Sequence, residues 1–115
     1  MSAQRVEEPS AAEFDAAVML LKLLSDPTRL RVVWALLHGE HSVSELAEHV
    51  ESQPAAVSQH LAKLRAADAV IVRRDGNRKF YRVSSRHIEL LTTEALLQAD
   101  HLVDGGRHHA PGSDA

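Results

Sequence analysis

A chain of 115 residues with 44% hydrophobic side chains suits one domain around one modest core, and its lack of cysteine excludes disulfides, thiolate metal sites and thiol catalysis. No apolar run approaches the ~20 residues that cross a bilayer, and the opening MSAQRVEEPS is polar and acidic rather than a secretory signal; a cytoplasmic protein with no membrane partner is expected. The formal net charge of −3 excludes a uniformly basic nucleic-acid binder but leaves room for a local basic patch.

Residues 1–9 read as a flexible arm. Ser10 and Glu13 form a capping-box pattern, which predicts a helix with Phe14, Ala17, Val18, Leu21 and Leu24 at helical spacing. Asp26 and Pro27 then supply a cap and a first position for a second helix, whose Leu30, Val33, Trp34 and Leu37 share a face and whose end is marked by Gly39. Ser42 and Glu45 form a second capping box ahead of a short helix with Val43, Leu46, Ala47 and Val50. After the polar stretch Glu51-Ser52-Gln53, Pro54 opens a fourth helix that runs to about Ala67. Val57, Leu61 and Leu64 lie on one side of it, and Ala55, Ser58, Gln59, Ala62 and Lys63 on the other. AVIVRR and KFYRV around Asp75-Gly76-Asn77 predict a β-hairpin. Ser84 or Ser85 caps a last helix carrying Ile88, Leu91, Ala95, Ala99 and Leu102 on one stripe, with Leu90 and Leu97 beside it. Gly105-Gly106 is expected to stop it, leaving 105–115 as a flexible, His-containing tail and 10–104 as the folded domain.

The order is helix, helix, short helix, helix, hairpin, helix: mainly α with a β-hairpin wing, the winged helix-turn-helix plan. Charge supports it. Lys63, Arg65, Arg73, Arg74, Arg78, Lys79, Arg82 and Arg86 face only Asp68 and Asp75 between positions 54 and 86, so this block carries +6 and the remainder −9. A basic stripe on an acidic protein is the footprint of phosphate binding. The fourth helix would enter the major groove, with Ser58 and Gln59 short and polar enough to meet base edges. Ser52 and Gln53 stand at its start, where backbone N–H groups attract anions. Lys63 and Arg65 would reach phosphates, and Arg73, Arg74, Asn77, Arg78 and Lys79 would form the wing contacts. His38, His41, His49 and His60 are dispersed and are read as structural or surface residues, His60 as a packing residue.

SDPTRLRVVWALLHGEHSVSELAEHV followed by QPAAVSQHLAKLRAADAVIVRRDGNRKFYRV resembles the ArsR/SmtB family of bacterial metal-responsive repressors, over roughly residues 14–103. The resemblance implies a homodimer built from the first and last helices, a double-stranded DNA operator, and release of that operator when an effector binds.

The remaining histidines, His87, His101, His108 and His109, cluster at or beyond the last helix, with Asp100 beside His101. On one helix His87 and His101 differ by about 40° around the axis but stand about 21 Å apart along it, too far to share an ion with bonds of about 2 Å. Two antiparallel copies of the helix bring His87 of one subunit to Asp100 and His101 of the other, giving two equivalent sites per dimer. The zinc-sensing members of the family carry four ligands on this helix where this chain has Ser85, His87, Gln98 and His101, two of them poor donors. The nickel/cobalt-sensing mycobacterial branch combines an early His, a late acidic-His pair and a His-His pair in the tail, which His87, Asp100-His101 and His108-His109 resemble. Five or six nitrogen and oxygen donors suit octahedral nickel or cobalt, whereas zinc prefers four; zinc is the alternative metal.

The expected function is therefore metal-linked transcriptional repression. The alternative is a winged-helix regulator that senses no metal and answers to a regulatory protein partner. An enzyme is not expected, since the chain has no phosphate-binding glycine loop and no nucleophile–base–acid set on a plausible scaffold.

Overall fold

The computed structural model describes residues 7–108. Five helices and one hairpin appear in the expected order: α1 (Ala11–Leu24), α2 (Pro27–Leu36), α3 (Val43–Val50), α4 (Pro54–Ala66), β1 (Val70–Asp75), β2 (Arg78–Val83) and α5 (Arg86–His108). The predicted arm falls largely outside the described residues, as do His109 and the rest of the tail.

Local chemistry starts each helix. Glu13 Oε1 accepts the Ser10 backbone N–H at 2.8 Å while Ser10 Oγ accepts that of Glu13 at 3.1 Å, and Ser42 and Glu45 repeat the exchange at 2.9 and 3.3 Å. Asp26 Oδ2 accepts the Arg29 N–H at 2.8 Å, with Pro27 in the first turn of α2. Pro54 takes the same place in α4, which has no side-chain cap. Of the two serines before α5, Ser85 does the capping, its Oγ accepting the Ile88 N–H at 3.4 Å. Ser84 instead donates to the Asp68 carbonyl at 2.6 Å, tying the end of the wing back to the end of α4.

Two helix ends use left-handed residues that are not glycine. Glu51 (φ 54) closes α3 and Asp68 (φ 59) closes α4. After Asp68, the Ala69 N–H reaches the Leu64 carbonyl at 2.8 Å and the Asp68 N–H reaches Arg65 at 3.0 Å. This is a Schellman closure, and it turns the chain directly into β1.

The hairpin is antiparallel, in a register running from Val70 opposite Val83 to Asp75 opposite Arg78. Gly76 (φ 65) and Asn77 form its two-residue loop. A positive φ at the first loop position alone matches a type II′ turn, where glycine carries no Cβ penalty. His41 adds a backbone bridge to β2, its N–H donating to Tyr81 O at 3.1 Å and its carbonyl accepting from Tyr81 N at 2.9 Å. The wing is thus anchored to the turn between α2 and α3.

The core lies between α2, α3, α4 and the root of the wing. Val32, Val33, Leu36, Leu46, Val57, Leu61, Leu64 and Val70 are buried, joined by Leu24 of α1 and Ile88 of α5. α2 differs from its predicted face. It buries Val32, Val33, Ala35 and Leu36, while Trp34 remains 45% exposed.

The expected stop at Gly105-Gly106 does not occur: α5 continues to His108. Each glycine costs a helix about 1 kcal/mol against alanine but removes no backbone donor, and the helix-breaking Pro111 lies further on.

Candidate nucleic-acid interface and metal residues

α3 and α4 pack as the helix pair of the helix-turn-helix, with Leu46, Ala47 and Val50 of one against Val57, Leu61 and Leu64 of the other in the same core. This burial fixes which face of α4 turns outward. Ser58, Gln59, Ala62, Lys63 and Arg65 are all exposed, as is Gln53 at the helix start, while Ser52 is half-buried. Ser58, Ala62 and Arg65 share a surface groove of about 500 Å³ with Lys79 and Tyr81 of β2. The helix and the basic hairpin thus form one continuous surface.

The wing residues divide into two kinds. Arg74, Asn77, Arg78 and Lys79 are exposed. Arg73, expected with them among the wing contacts, is also exposed but is engaged within the chain. Its Nη2 donates to Glu40 Oε1 at 2.8 Å, and its Nε lies 3.2 Å from both Glu40 oxygens. Its guanidinium also stands 4.9 Å from the Phe80 ring centre, as does that of Arg78. The hydrogen bonds from Arg73 hold the Glu40 carboxyl below the usual carboxylate range, and Glu40 in turn raises Arg73. Glu40 escaped the sequence reading because its partner is 33 residues away, and no local pattern marks such a pair.

His60 joins α4 to the start of α2, as a packing residue would. Arg29 Nη1 donates to its Nδ1 at 3.2 Å, and its Nε2 stands 3.9 Å from Asp26 Oδ2. The Arg29 backbone N–H, and then the nearby Arg29 and His60 charges, hold the Asp26 carboxyl below its usual range.

The predicted metal residues are distributed as the helical arithmetic requires. His87, Asp100 and His101 are all exposed on α5. Among the described residues no three His, Asp or Glu side chains gather so as to hold an ion. Among the described residues of one chain, His87 therefore forms no three-donor group with Asp100 and His101. His87 and His101 share a helix face with Leu90 and Leu97, which are also exposed, so the donors sit beside an uncovered apolar patch. The donor set of imidazole and carboxylate, without thiolate, fits a divalent transition ion of borderline hardness. Continuation of α5 brings His108 onto the helix, two turns beyond His101 and about 20° from it around the axis. His109 lies outside the described residues.

Comparison with known proteins agrees with this architecture. Residues 26–72 match the family described as bacterial regulatory protein, arsR family. The chain is 46% identical over 93 residues to the HTH-type transcriptional regulator KmtR of Mycobacterium tuberculosis, covering 80% of this chain and 72% of that one. It is 37% identical over 91 residues to the transcriptional activator HlyU of Vibrio cholerae, covering 79% and 81%. The homodimeric winged helix-turn-helix DNA-binding domain Mb0332 of Mycobacterium bovis superposes with a TM-score of 0.78 at 26% identity, over 95% of this chain and 99% of that one. With its fold, its exposed α4 face and this degree of identity, the chain belongs to the ArsR family of bacterial transcriptional regulators, which are DNA-binding proteins rather than enzymes.

Proposed function

We propose that this chain is a cytoplasmic homodimeric repressor whose affinity for operator DNA is set by a nickel or cobalt ion, with zinc the alternative, held between its two α5 helices. The observation that carries the DNA reading is the shared groove of α4 and the wing, where Ser58 and Arg65 stand with Lys79. Ser58 and Gln59 read base edges. Ser52 and Gln53 at the start of α4, with Lys63, Arg65, Arg74, Asn77, Arg78 and Lys79, fix the position on the phosphates. Dimerisation is supported by exposed apolar side chains on α1 and α5, among them Phe14, Leu21, Leu97 and Leu102. A two-fold dimer presents two α4 helices to successive major grooves, about 34 Å apart.

In this reading His87 of one protomer approaches the partner's Asp100 and His101, with His108 and His109 completing the donor set. Bound metal supplies a cross-link between the two α5 helices. Those helices set the separation of the two α4 helices, so donors that close across the interface alter the fit to DNA. A coupling of about 1–3 kcal/mol changes affinity 5- to 150-fold.

The test is fluorescence anisotropy on DNA from upstream of the chain's own gene, with and without Ni(II), Co(II) and Zn(II). Wild type should bind with an affinity that falls steeply with salt and shifts at least fivefold with nickel or cobalt. The His87→Ala/His101→Ala protein should bind the same DNA and lose the shift. Weak, salt-insensitive binding by wild type would refute the DNA reading, and an undiminished metal response in the double variant would refute the α5 site.

A further inference from the structure

We infer a second transition-metal site, distinct from the α5 residues, formed by His41 and His49 at the base of the wing. The two side chains are eight residues apart, yet α3 brings them together: their ring centres are 4.9 Å apart, with the planes at 62°. Two imidazoles bound to one ion through bonds of about 2 Å have ring centres about 4.5–5 Å apart. The ring-centre separation of this edge-to-face pair falls in that range, so a turn of the rings suffices to aim one nitrogen of each at a shared ion.

One ring is also oriented for the task. His41 Nδ1 stands 3.5 Å from Glu45 Oε1, and Glu45 is held in place by the Ser42 N–H at 2.9 Å. A carboxylate at Nδ1 fixes the tautomer and leaves Nε2 free to bind, the arrangement common behind metal-bound histidine. His49 lies in the last turn of α3, where the helix end carries partial negative charge and favours a cation.

The pair is accessible. His38, His41 and His49 line one cleft of about 610 Å³ together with Trp34, and the Trp34 ring meets the edge of His38 with centres 4.7 Å apart. Two protein donors with water completing the shell make an exchangeable site for a divalent first-row ion such as nickel or zinc. The backbone of His41 is the residue that bridges to Tyr81 of the wing, so an ion here sits at the wing's anchor.

Trp34 is the sole tryptophan of the chain and provides the readout. The experiment uses full-length His87→Ala/His101→Ala protein, which removes two of the α5 donors and leaves the His41–His49 pair intact. Titration with Ni(II) should quench Trp34 fluorescence saturably, and Zn(II) should move the ring ¹⁵N resonances of His41 and His49. Adding His49→Ala, or separately His41→Gln, should weaken nickel binding at least tenfold while circular dichroism shows the fold intact. Absence of saturable quenching in the double variant, or quenching that neither further substitution changes, would overturn the inference. The α5 reading fails separately: if wild type and the double variant bind nickel alike and both lose it on His49→Ala, this site stands and that one falls.

Discussion

Between α2 and the root of the wing, the side chains that sequence periodicity marks as apolar mostly close on one another. Val57, Leu61 and Leu64 of α4 are almost fully buried, and the face left outside is polar and basic. α1 and α5 behave differently. Their apolar stripes touch the core only through Leu24, Ile88 and a few half-buried neighbours, while Phe14 (53%), Leu97 (51%) and Leu102 (69%) remain exposed. The first region satisfies its hydrophobic pattern within one chain, and the second does not. A face that cannot be buried in its own domain marks an interaction surface, so the helix pair and wing close within one chain while the terminal helices present the surface that the proposed dimer would use.

The sharpest way to break this contrast is to place a charge on the unsatisfied face. Leu97→Glu should convert the protein to monomer in analytical ultracentrifugation while leaving its helical circular dichroism intact. Operator affinity should then fall by roughly 100-fold or more, because two half-sites no longer bind as one. A variant that stays dimeric would show that α5 does not form the interface.

The same contrast explains what the sequence reveals and what it hides. Both capping boxes, Asp26 with Pro27, and the buried stripe of α4 are local signals, and each appears in the structure where it was expected. What the sequence leaves open comes from packing, from distant partners and from the reach of a helix. Trp34 was grouped on one face with Leu30, Val33 and Leu37, but α2 is apolar on more than one phase, and only packing selects Val32 and Leu36 over it. Arg73 was placed with the wing contacts because its charge is visible in the sequence, whereas its ion-pair partner Glu40 is not. Gly105-Gly106 was read as a stop, although glycine weakens a helix without breaking it. The proposed metal residues are legible only as a pattern on one helix, since the described residues of one chain do not gather three such donors.

Within the DNA-reading half, Arg73 and Arg74 offer a finer comparison. Arg74→Ala should lower operator affinity about tenfold near 0.1 M salt and reduce the salt slope by about one, the effect of one lost phosphate contact. Arg73→Ala should leave the salt slope nearly unchanged, since its charge is matched by Glu40. Equal slope losses for both would return Arg73 to the phosphate contacts. The pair is also pH-sensitive. Glu40 is held below the usual carboxylate range when folded, so its contribution is complete above the unfolded value, about pH 4.3, and is lost as pH falls through the lower folded value. Wing anchoring should therefore persist at neutral pH and loosen only in acid, observable as hydrogen exchange at Tyr81.

The smallest effect tests where α5 does belong to the core. Thr92 is fully buried, and among the described residues its Oγ1 finds no hydrogen-bond partner. A buried hydroxyl without a partner costs about 1–3 kcal/mol, and valine has the same branched shape with a methyl in place of the hydroxyl. Thr92→Val should therefore stabilise the protein by about 1 kcal/mol, raising Tm by about 3–6 °C, with operator affinity unchanged. The expected gain is at the low end of that range because valine has a slightly different helix preference and the site also borders a small cleft beside Leu91 and Ala95. A loss of stability would mean that the hydroxyl is satisfied in solution by water in that cleft, and that this end of α5 is less dry than the buried side of α4.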